Sequence, residues 1–347
     1  MASPTRWGIV SAGMISMDFC IALRTLDASE HRIVAVAARS LDKAKQFADK
    51  HSIDKAYGSY EELSKDDDVD IAYIGAIHTE HAKLSKMMLN AGKNVLCEKP
   101  MGLTVKETKE ILELAKEKNL FFMEGLWSRH FPIYEKIRSI VSSGRIGNVE
   151  MITADFGFAV LSTVPRFVKK ELAGGAIFDI GIYPIQLAVM IFGREMPKIT
   201  IRGNLAETGV DEASTSILQY SNNRMAVLNL HGRVDLNNEA NIYGTKGRLR
   251  VSLPFWAPTK MTVEDSNGVE VVEEPLPKTV MATNFINSAG LRYEAITARR
   301  CLLEGKRESE LVSHEDSMTF AAIMETMRHN LGYTLPGEQE KIVMPCQ

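Results

Sequence analysis

A short segment near the start of the chain has the residue types and spacing of a phosphate-binding turn, Ser11-Ala12-Gly13-Met14-Ile15-Ser16. Gly13 fits the middle position of G-x-G-x-x-G, while Ser11 and Ser16 stand where the first and third glycines are expected. At such a turn the backbone bends sharply, and unpaired amides and the helix dipole attract negative charge. The pattern alone also fits an ordinary strand-to-helix turn. Its place after the first strand favours a dinucleotide site with Ser11, Gly13, Met14 and Ile15 as candidate ligands.

The end of the second apolar run, Val36-Ala37-Ala38-Arg39-Ser40, indicates which dinucleotide would bind. An NAD site usually offers Asp or Glu here, roughly 20 residues after the glycines, to bind the ribose 2′-hydroxyl. No carboxylate is present, whereas Arg39 and Ser40 could bind a 2′-phosphate. We therefore expect NADP rather than NAD. The alternative is that Arg39 is a solvated surface charge and that Ser40 only caps the next helix.

A lysine follows a later apolar run, in Val95-Leu96-Cys97-Glu98-Lys99-Pro100. Parallel sheets bind ligands in the crevice at the carboxyl ends of their strands. We therefore expect Lys99 beside the nicotinamide and Glu98 next to the coenzyme. The alternative is a surface lysine before a rigid proline.

Two histidines, His78 and His81, lie three residues apart at the end of another strand candidate. The spacing suggests a metal site, but zinc needs three or four ligands and no Cys or carboxylate cluster clearly completes the set. We expect no metal and treat both histidines as candidate coenzyme-binding residues. For His81 we expect a hydrogen bond to the coenzyme or to a loop, and a purely structural histidine is the alternative.

The first third of the chain alternates short β-branched runs with helical stretches, as βαβ units do on the doubly wound parallel sheet of a Rossmann domain. The predicted strands cover residues 7–10, 33–38, 71–77, 94–97 and 120–123. Residues 41–50 carry one apolar stripe, typical of a helix that packs on one face. Thr104 and Glu107 have the spacing of a capping box before a predicted helix over about 105–118.

Beyond residue 124 the pattern predicts an α+β domain with a large, mostly antiparallel, open-faced sheet. A helix near 132–142 precedes strand candidates at 149–156, 198–206, 214–221, 224–234, 239–252, 259–265 and 269–274. Turns are predicted at 222–223, 244–247 and 266–268 because Asn and Gly cluster there. Helices are predicted at 285–304 and 314–331, the second capped by Ser313. We place the domains at 1–123 and 124–347.

Composition narrows the class of protein. The chain has 347 residues, 45% hydrophobic and 24% charged, with a net charge of −3. Such a balance offers no basic face for nucleic acid or anionic membrane. We see no apolar h-region at the start and no run near the roughly 18 apolar residues of a membrane span, so we expect a cytoplasmic protein. Four separated cysteines, Cys20, Cys97, Cys301 and Cys346, are expected to be reduced thiols, mostly in the core.

Two motifs together carry a specific family resemblance. Glu98-Lys99-Pro100 after a Rossmann half, with Gly174-Gly175-Ala176-Ile177-Phe178-Asp179-Ile180-Gly181-Ile182-Tyr183 later, resembles the glucose-fructose oxidoreductase/inositol dehydrogenase (Gfo/Idh/MocA) family over essentially the whole chain. Residues 7–13, 57–63 and Tyr183 are most similar to its dimeric NADP-linked members, which act on trans-dihydrodiols of arenes or on D-xylose. The resemblance implies a second domain whose open sheet covers the active site and forms a homodimer.

The resemblance also implies roles for individual residues. Tyr183 matches a catalytic tyrosine, Asp179 a residue that places the alcohol, and Lys99 the family lysine. Tyr73 and His81 match positions implicated in coenzyme binding. Many family members carry His where this chain has Tyr183, which moves the acid/base role from an imidazole to a phenol.

The chemistry of alcohol oxidation is consistent with this set. The hydroxyl proton must be removed as hydride leaves the carbon, but a free tyrosine, with a pKa of about 10, is a poor base near neutral pH. A neighbouring Lys99 and an oxidised nicotinamide would favour the phenolate of Tyr183. Asp179 would accept a hydrogen bond from a second hydroxyl or from the lysine. The alternatives are a helix cap for Asp179 and a core aromatic for Tyr183.

Three aromatic residues, Trp127, Phe131 and Phe156, could line an apolar substrate pocket, although core packing explains each of them equally well. The expected function is NADP-dependent hydride transfer to or from the CH-OH carbon of a vicinal diol or sugar. One alternative is a dehydrogenase of the same family for another sugar or polyol. Another is a non-catalytic protein that senses NADP.

Overall fold

The computed structural model describes residues 3–338, which form two compact units. The first unit comprises residues 3–102, 106–131 and 275–317. The second comprises residues 103–105, 132–274 and 318–338. The chain therefore returns to the first unit after residue 274, a feature that the domain limits drawn from sequence at 123/124 do not contain.

The first unit is built on a six-stranded parallel sheet with the strand order β3-β2-β1-β4-β5-β6. The strands are β1 (Thr5–Val10), β2 (His31–Ala37), β3 (Lys55–Tyr57), β4 (Ile71–Ile74), β5 (Asn94–Glu98) and β6 (Phe122–Gly125). The helices between them are α1 (Met14–Leu23), α2 (Leu41–Lys50), α3 (Tyr60–Ser64), α4 (His78–Asn90) and α5 (Val105–Glu117). This order is that of a Rossmann sheet, so the predicted fold class is confirmed for this unit.

The strand order reverses between β1 and β4, and this switch point determines where a ligand can enter. The chain leaves β1 toward α1 and leaves β4 toward α4, which opens a crevice at the carboxyl ends of the two strands. The Gly75 amide donates to the Val10 carbonyl (3.1 Å), so the two strand ends are held side by side.

Gly75 allows the end of β4 to approach α1 closely. A Cβ atom at this position would collide with the Ser16 hydroxyl and lie 3.0 Å from the Tyr73 ring. Ser16 occupies the third position of the glycine pattern and is fully buried, and its hydroxyl has no hydrogen-bond partner within residues 3–338. The small residue needed for close packing in this crevice is therefore Gly75, which directly follows β4.

The second unit is built on an eight-stranded sheet with the order β14-β13-β12-β11-β7-β10-β9-β8. All neighbouring strands are antiparallel except β7 and β10, which run parallel. The strands are β7 (Val149–Gly157), β8 (Lys198–Leu205), β9 (Asp211–Gln219), β10 (Met225–His231), β11 (Ala240–Gly244), β12 (Gly247–Val251), β13 (Lys260–Asp265) and β14 (Gly268–Glu273). The predicted, mostly antiparallel sheet is confirmed.

The remaining helices complete both units. They are α6 (Pro132–Ser142), α7 (Pro165–Val168), α8 (Ile182–Phe192), α9 (Leu291–Leu303) and α10 (His314–Asn330). The Ser313 hydroxyl accepts a hydrogen bond from the Asp316 amide (3.1 Å), so the predicted cap of α10 is confirmed.

Several predicted boundaries are wrong for physical reasons. The strand predicted at 71–77 ends at Ile74 because Gly75 and the next two residues turn the chain into α4. The strand predicted at 239–252 is a hairpin, β11 and β12. The helix predicted from residue 285 begins at Leu291, because the Asp18 carboxylate binds the amides of Asn284 and Phe285 and holds that segment outside a helix. The short β3 was missed because it has no apolar run.

One helical stretch, Lys170–Phe192, is long and apolar enough to span a membrane by length and composition alone. The expectation that no run approaches that length is therefore wrong. In the structure 89% of its most apolar window is buried among other residues of the protein, as in a core helix. Among the cysteines, Cys20, Cys97 and Cys301 are buried free thiols, and Cys346 lies outside the described residues.

We expect the substitution Gly75→Ala to lower the free energy of unfolding by about 1–3 kcal/mol, because the new methyl group overpacks the contact with Ser16 and Tyr73. Urea unfolding would measure the loss. The matched variant Ser16→Ala removes the nearest colliding atom, so the double variant should regain part of the stability. Equal losses with and without Ser16→Ala would contradict this packing account.

Candidate active site

The turn after β1 has the backbone geometry of a glycine-rich phosphate site although only one of its glycines is present. Ser11 takes a φ of +91°, a conformation that favours glycine. Gly13 precedes the first turn of α1, and that turn contains no acidic residue to compete with a phosphate. Met14 is exposed and Ile15 is half-buried at the same helix start. The four predicted residues thus form one turn at a helix N-terminus.

Arg39 and Ser40 follow β2 next to this turn. Burial raises the pKa of the Tyr60 phenol, while the Arg39 charge and a hydrogen bond with Ser11 act in the opposite direction. Tyr60 therefore connects the turn after β1 with the arginine after β2. Ser40 occupies the N-cap position of α2, but its side chain makes no capping hydrogen bond. The capping alternative for the Ser40 hydroxyl is therefore wrong, and Arg39 itself is exposed.

Glu98 is a buried carboxyl group at the end of β5. Its Oε1 accepts a hydrogen bond from the Tyr73 hydroxyl (2.7 Å), and its Oε2 accepts one from the Lys99 backbone amide (3.3 Å). Burial raises the pKa of Glu98, and the Lys99 charge and the Tyr73 hydrogen bond partly offset that effect. Tyr73 is fully buried and stacks on Phe19 with the ring centroids 3.7 Å apart. Tyr73 and Glu98 thus hold the backbone of the half-buried Lys99 in place.

His81 links α4 to the loop that follows β5. Its Nδ1 lies 2.8 Å from the Pro100 carbonyl oxygen and its Nε2 lies 3.0 Å from the Ala76 carbonyl oxygen. Burial lowers the pKa of the ring, so a neutral imidazole donates to one of these carbonyls. The predicted loop contact is confirmed. His78 is a buried residue that begins α4, and within residues 3–338 no cluster of three His, Cys, Asp or Glu side chains could hold a metal ion.

Glu124 and Glu294 are further buried carboxyl groups of the first unit. Glu124 accepts hydrogen bonds from the Met101 amide (2.9 Å) and the Ser317 hydroxyl (2.6 Å), and burial raises its pKa to about 7. Glu294 is fully buried on α9, and both of its carboxyl oxygens are without a hydrogen-bond partner within the described ranges. Burial and the charge of Glu98 raise the pKa of Glu294 well above its usual range. A protonated Glu294 is therefore the form that the interior favours.

Asp179 and Tyr183 lie in the second unit, on one continuous helical stretch. Asp179 sits inside a π-helical turn, Ile177–Gly181, that leads directly into α8, and Tyr183 is the second residue of α8. Such π-turns inside helices occur frequently at functional sites. Both side chains are mostly buried, with 7% and 6% exposed, respectively. Because Asp179 lies within the helical stretch and not before it, the helix-cap alternative for this residue is wrong.

A carboxylate from β9 fixes the start of this helical stretch. Asp211 is fully buried, and its Oδ2 accepts a hydrogen bond from the Ile177 amide (2.8 Å). A hydrogen bond from the Ala176 amide also acts on it, and burial raises its pKa to about 7. Gly175 has a φ of +108°, and a Cβ there would collide with the Asp211 carboxylate. Gly175 therefore lets the Asp211 carboxylate, 34 residues beyond Ile177 in sequence, approach the first free amides of the helix.

Arg166, on α7, forms a two-bonded ion pair with Asp179. Its Nη1 binds Oδ1 and its Nη2 binds Oδ2 at 3.2 Å. Burial lowers the pKa of Arg166, and the charge of Tyr183 acts in the opposite direction. The arginine therefore interacts with both predicted catalytic residues of this unit. Sequence reasoning missed it, because nothing in Pro165-Arg166-Phe167 marks one arginine among the others of the chain.

A cluster of aromatic rings meets Tyr183 through Phe156. The Phe156 centroid lies 5.6 Å from that of Tyr183 and 4.1 Å from that of Trp256, on which it stacks. Phe158 and Phe255 meet Trp256 edge-on. Phe156, predicted as a pocket residue, is thus brought together with Tyr183, and Trp256 is a neighbour that sequence reasoning missed. The signal in the sequence for Trp256 was its place in an aromatic pair, Phe255-Trp256, after a β-strand.

The other predicted pocket aromatics belong to the first unit. Trp127 begins a short 3-10 helix, is 5% exposed and meets Phe131 edge-on with the centroids 5.5 Å apart. Phe131 is fully buried against Tyr293. Gly290 permits this contact, because a Cβ there would collide with the Phe131 ring. The structure therefore supports core packing for Phe131.

Two family profiles match the chain in succession. Residues 5–126 match the oxidoreductase family with an NAD-binding Rossmann fold (Gfo/Idh/MocA), and residues 134–250 match the Gfo/Idh/MocA C-terminal domain.

Curated relatives match over nearly the full length. A trans-1,2-dihydrobenzene-1,2-diol dehydrogenase from Xenopus tropicalis is 48% identical over 333 residues, which is 96% of this chain and 99% of the relative. The human protein of the same name is 44% identical over 335 residues, with 96% and 99% covered.

Solved structures share the fold at low sequence identity. A 3-ketoreductase from Actinomadura kijaniata, crystallised with NADP and TDP-benzene, has a TM-score of 0.79 at 23% identity, covering 95% of this chain and 98% of its own. An NAD-binding oxidoreductase from Klebsiella pneumoniae has a TM-score of 0.83 at 16% identity, covering 95% and 97%.

Glu124 should make the stability of the protein depend on pH. Its pKa rises from 4.5 in the unfolded chain to about 7 in the folded one. The stability that this group contributes is therefore complete below about pH 4.5 and is lost as the pH rises to about 7, by about 1.4 kcal/mol per unit at most. The free energy of unfolding of wild type minus that of Glu124→Gln should fall over this range, as measured by urea unfolding at several pH values.

The exposed Glu30 on the same unit supplies the control. Glu30→Gln should show no such pH-dependent difference from wild type. Parallel stability curves for wild type and Glu124→Gln would contradict the assignment.

Proposed function

Because the chain belongs to the Gfo/Idh/MocA family of oxidoreductases, we propose that it is an NADP-dependent dehydrogenase that oxidises the CH-OH carbon of a vicinal diol, with trans-dihydrodiols of arenes as the leading substrates and D-xylose as the second. The observation that carries this proposal is that one chain contains a Rossmann switch point in its first unit and, in its second, the buried Asp179 and Tyr183 with the half-buried Arg166. A homodimer and a cytoplasmic location remain predictions from sequence.

The preference for NADP is supported by the residues after β2. The chain offers no carboxylate at the point where a 2′-hydroxyl would bind. Arg39 offers a cation there, and the Ser40 hydroxyl, which makes no capping hydrogen bond, offers a donor. The turn at Ser11 and Gly13 offers amides at a helix start for the pyrophosphate. These residues fit NADP, which when bound supplies the hydride acceptor.

The proton of the alcohol would pass to Tyr183. The phenolate oxygen accepts it as the hydride leaves the carbon, so the residue returns to the neutral phenol. Lys99 would hold the reacting oxygen, and its backbone amide is bound by Glu98, which in turn accepts a hydrogen bond from Tyr73. Asp179, held by Arg166, would accept a hydrogen bond from the second hydroxyl of a diol.

The choice of an aromatic dihydrodiol is supported by two observations. The curated relatives carry that activity in their names at 44–48% identity. The Phe156 ring beside Tyr183, which is stacked on Trp256, would accommodate a flat, apolar ring better than a fully hydroxylated sugar.

Steady-state assays test the proposal directly. Purified protein with NADP⁺ or NAD⁺ is offered trans-dihydrodiols, D-xylose and other polyols, and reduced coenzyme is followed by absorbance. We expect the highest kcat/KM with a dihydrodiol and NADP⁺. A sugar as the best substrate would favour the xylose alternative, and NADP⁺ binding without turnover on any of these compounds would favour a sensor protein.

Arg39→Leu should weaken NADP⁺ binding at least about tenfold more than NAD⁺ binding, because only NADP⁺ carries the 2′-phosphate that the guanidinium would bind. Fluorescence titration of the two coenzymes measures both affinities. The matched control is Arg32→Leu, an exposed arginine of β2 whose partner is Asp54; it should change neither affinity. Equal losses for both coenzymes in Arg39→Leu would contradict the 2′-phosphate assignment.

A further inference from the structure

We propose that Arg166 is a positioning residue for the oxidation step: it locks the Asp179 carboxylate in place and favours the ionised form of the Tyr183 phenol. This inference rests on the proposed function. It adds a second cation to the one expected from sequence, Lys99.

The first observation is the geometry of the ion pair. Both guanidinium nitrogens of Arg166 engage both carboxylate oxygens of Asp179. A two-bonded pair fixes the plane of the carboxylate, which a single hydrogen bond does not. The Asp179 side chain is 8% exposed, so its charge is screened poorly by water and needs such a partner.

The second observation is the place of the pair relative to Tyr183. Asp179 and Tyr183 are four residues apart on one helical stretch, a spacing that brings side chains to neighbouring positions on a helix surface. Because Arg166 is bonded to Asp179, it is brought close to Tyr183, whose charge acts to raise the pKa of the guanidinium. The attraction between a guanidinium and a phenolate is mutual, so the arginine must favour the phenolate.

The neighbours of Tyr183 on β7 do not supply a positive charge. The contact from this strand is the apolar Phe156 ring. The next residue back, Asp155, accepts a hydrogen bond from the Asn229 side-chain amide (2.7 Å), so its carboxylate is engaged with β10. Arg166 is thus a cation that acts on Tyr183 from within the same unit.

The charge of Arg166 and its two-bonded contact with Asp179 can be distinguished by different measurements. Loss of the positive charge should lower kcat most at low pH, where the phenol of Tyr183 is mostly protonated unless a nearby cation favours its ionised form. Loss of the two-bonded geometry should matter at every pH, and more for a diol than for an alcohol with one hydroxyl, because Asp179 would bind the second hydroxyl.

The test compares Arg166→Gln, which removes the charge, with Arg166→Lys, which keeps it but cannot form the same two-bonded pair. In Arg166→Gln we expect kcat for dihydrodiol oxidation to fall about tenfold at pH 7 and to recover toward wild type at high pH, with the KM for the diol raised at every pH because the two-bonded pair is also lost. The reason is that raising the pKa of Tyr183 by about one leaves roughly a tenth as much phenolate near neutral pH. Arg166→Lys should keep the wild-type pH profile of kcat and show a raised KM for the diol.

A spectroscopic titration gives a readout that needs no turnover. The ultraviolet absorbance of tyrosinate is followed with pH in each protein and in its Tyr183→Phe counterpart, and the difference isolates Tyr183. We expect its transition to move about one pH unit higher in Arg166→Gln than in wild type. Arg248→Gln, which removes an exposed arginine paired with Glu264 on neighbouring strands, is the control and should leave both readouts unchanged.

The outcomes distinguish two failures. If the wild type oxidises no diol or sugar, the proposed function fails, while the tyrosinate titration still tests the role of Arg166. If the wild type is active but Arg166→Gln lowers kcat by the same factor at every pH, and the Tyr183 transition does not move, the proposal for Arg166 is overturned.

Discussion

Each unit of this protein buries a carboxyl group to hold a reactive group in place, and the rest of the arrangement depends on that constraint. In the first unit, Glu98 accepts hydrogen bonds from Tyr73 and from the backbone of Lys99. In the second, Asp211 binds the free amides that begin the helix of Asp179 and Tyr183. A buried carboxyl group is costly unless it is paired. Its hydrogen-bond partners are therefore fixed along with it, so the residues next to those partners are held in place.

Small residues allow close approaches in each unit. Gly75 lets β4 pack against α1 at the switch point, and Gly175 lets Asp211 reach the start of a helix. Ser11 adopts a glycine-like φ of +91° without being glycine. The chain thus departs from the glycine pattern where a turn tolerates serine, and keeps glycine where a Cβ atom would collide with a side chain such as Ser16 or Asp211.

Local signals made much of the fold predictable from the sequence. The helices at 41–50 and 132–142 have the predicted bounds. An apolar stripe marks the first of them and Pro132 marks the start of the second, and both signals are local in sequence. The partners of the candidate site were harder to find. Asp211 acts on Ile177 from 34 positions away, and Arg166 reaches Asp179 from a short helix with no distinctive spacing. Such partners are set by how the chain folds back on itself, which no short motif encodes.

The proposed function requires Lys99 and Tyr183 to act on one hydroxyl group in one step, and a double-variant cycle tests this requirement most directly. The kcat of dihydrodiol oxidation is measured for Lys99→Met, for Tyr183→Phe and for the double variant, with NADP⁺ binding checked in each. If both residues serve the same proton transfer, the double variant loses little more than the worse single variant, because effects of residues that act as a unit are not additive. Losses that multiply would contradict this requirement.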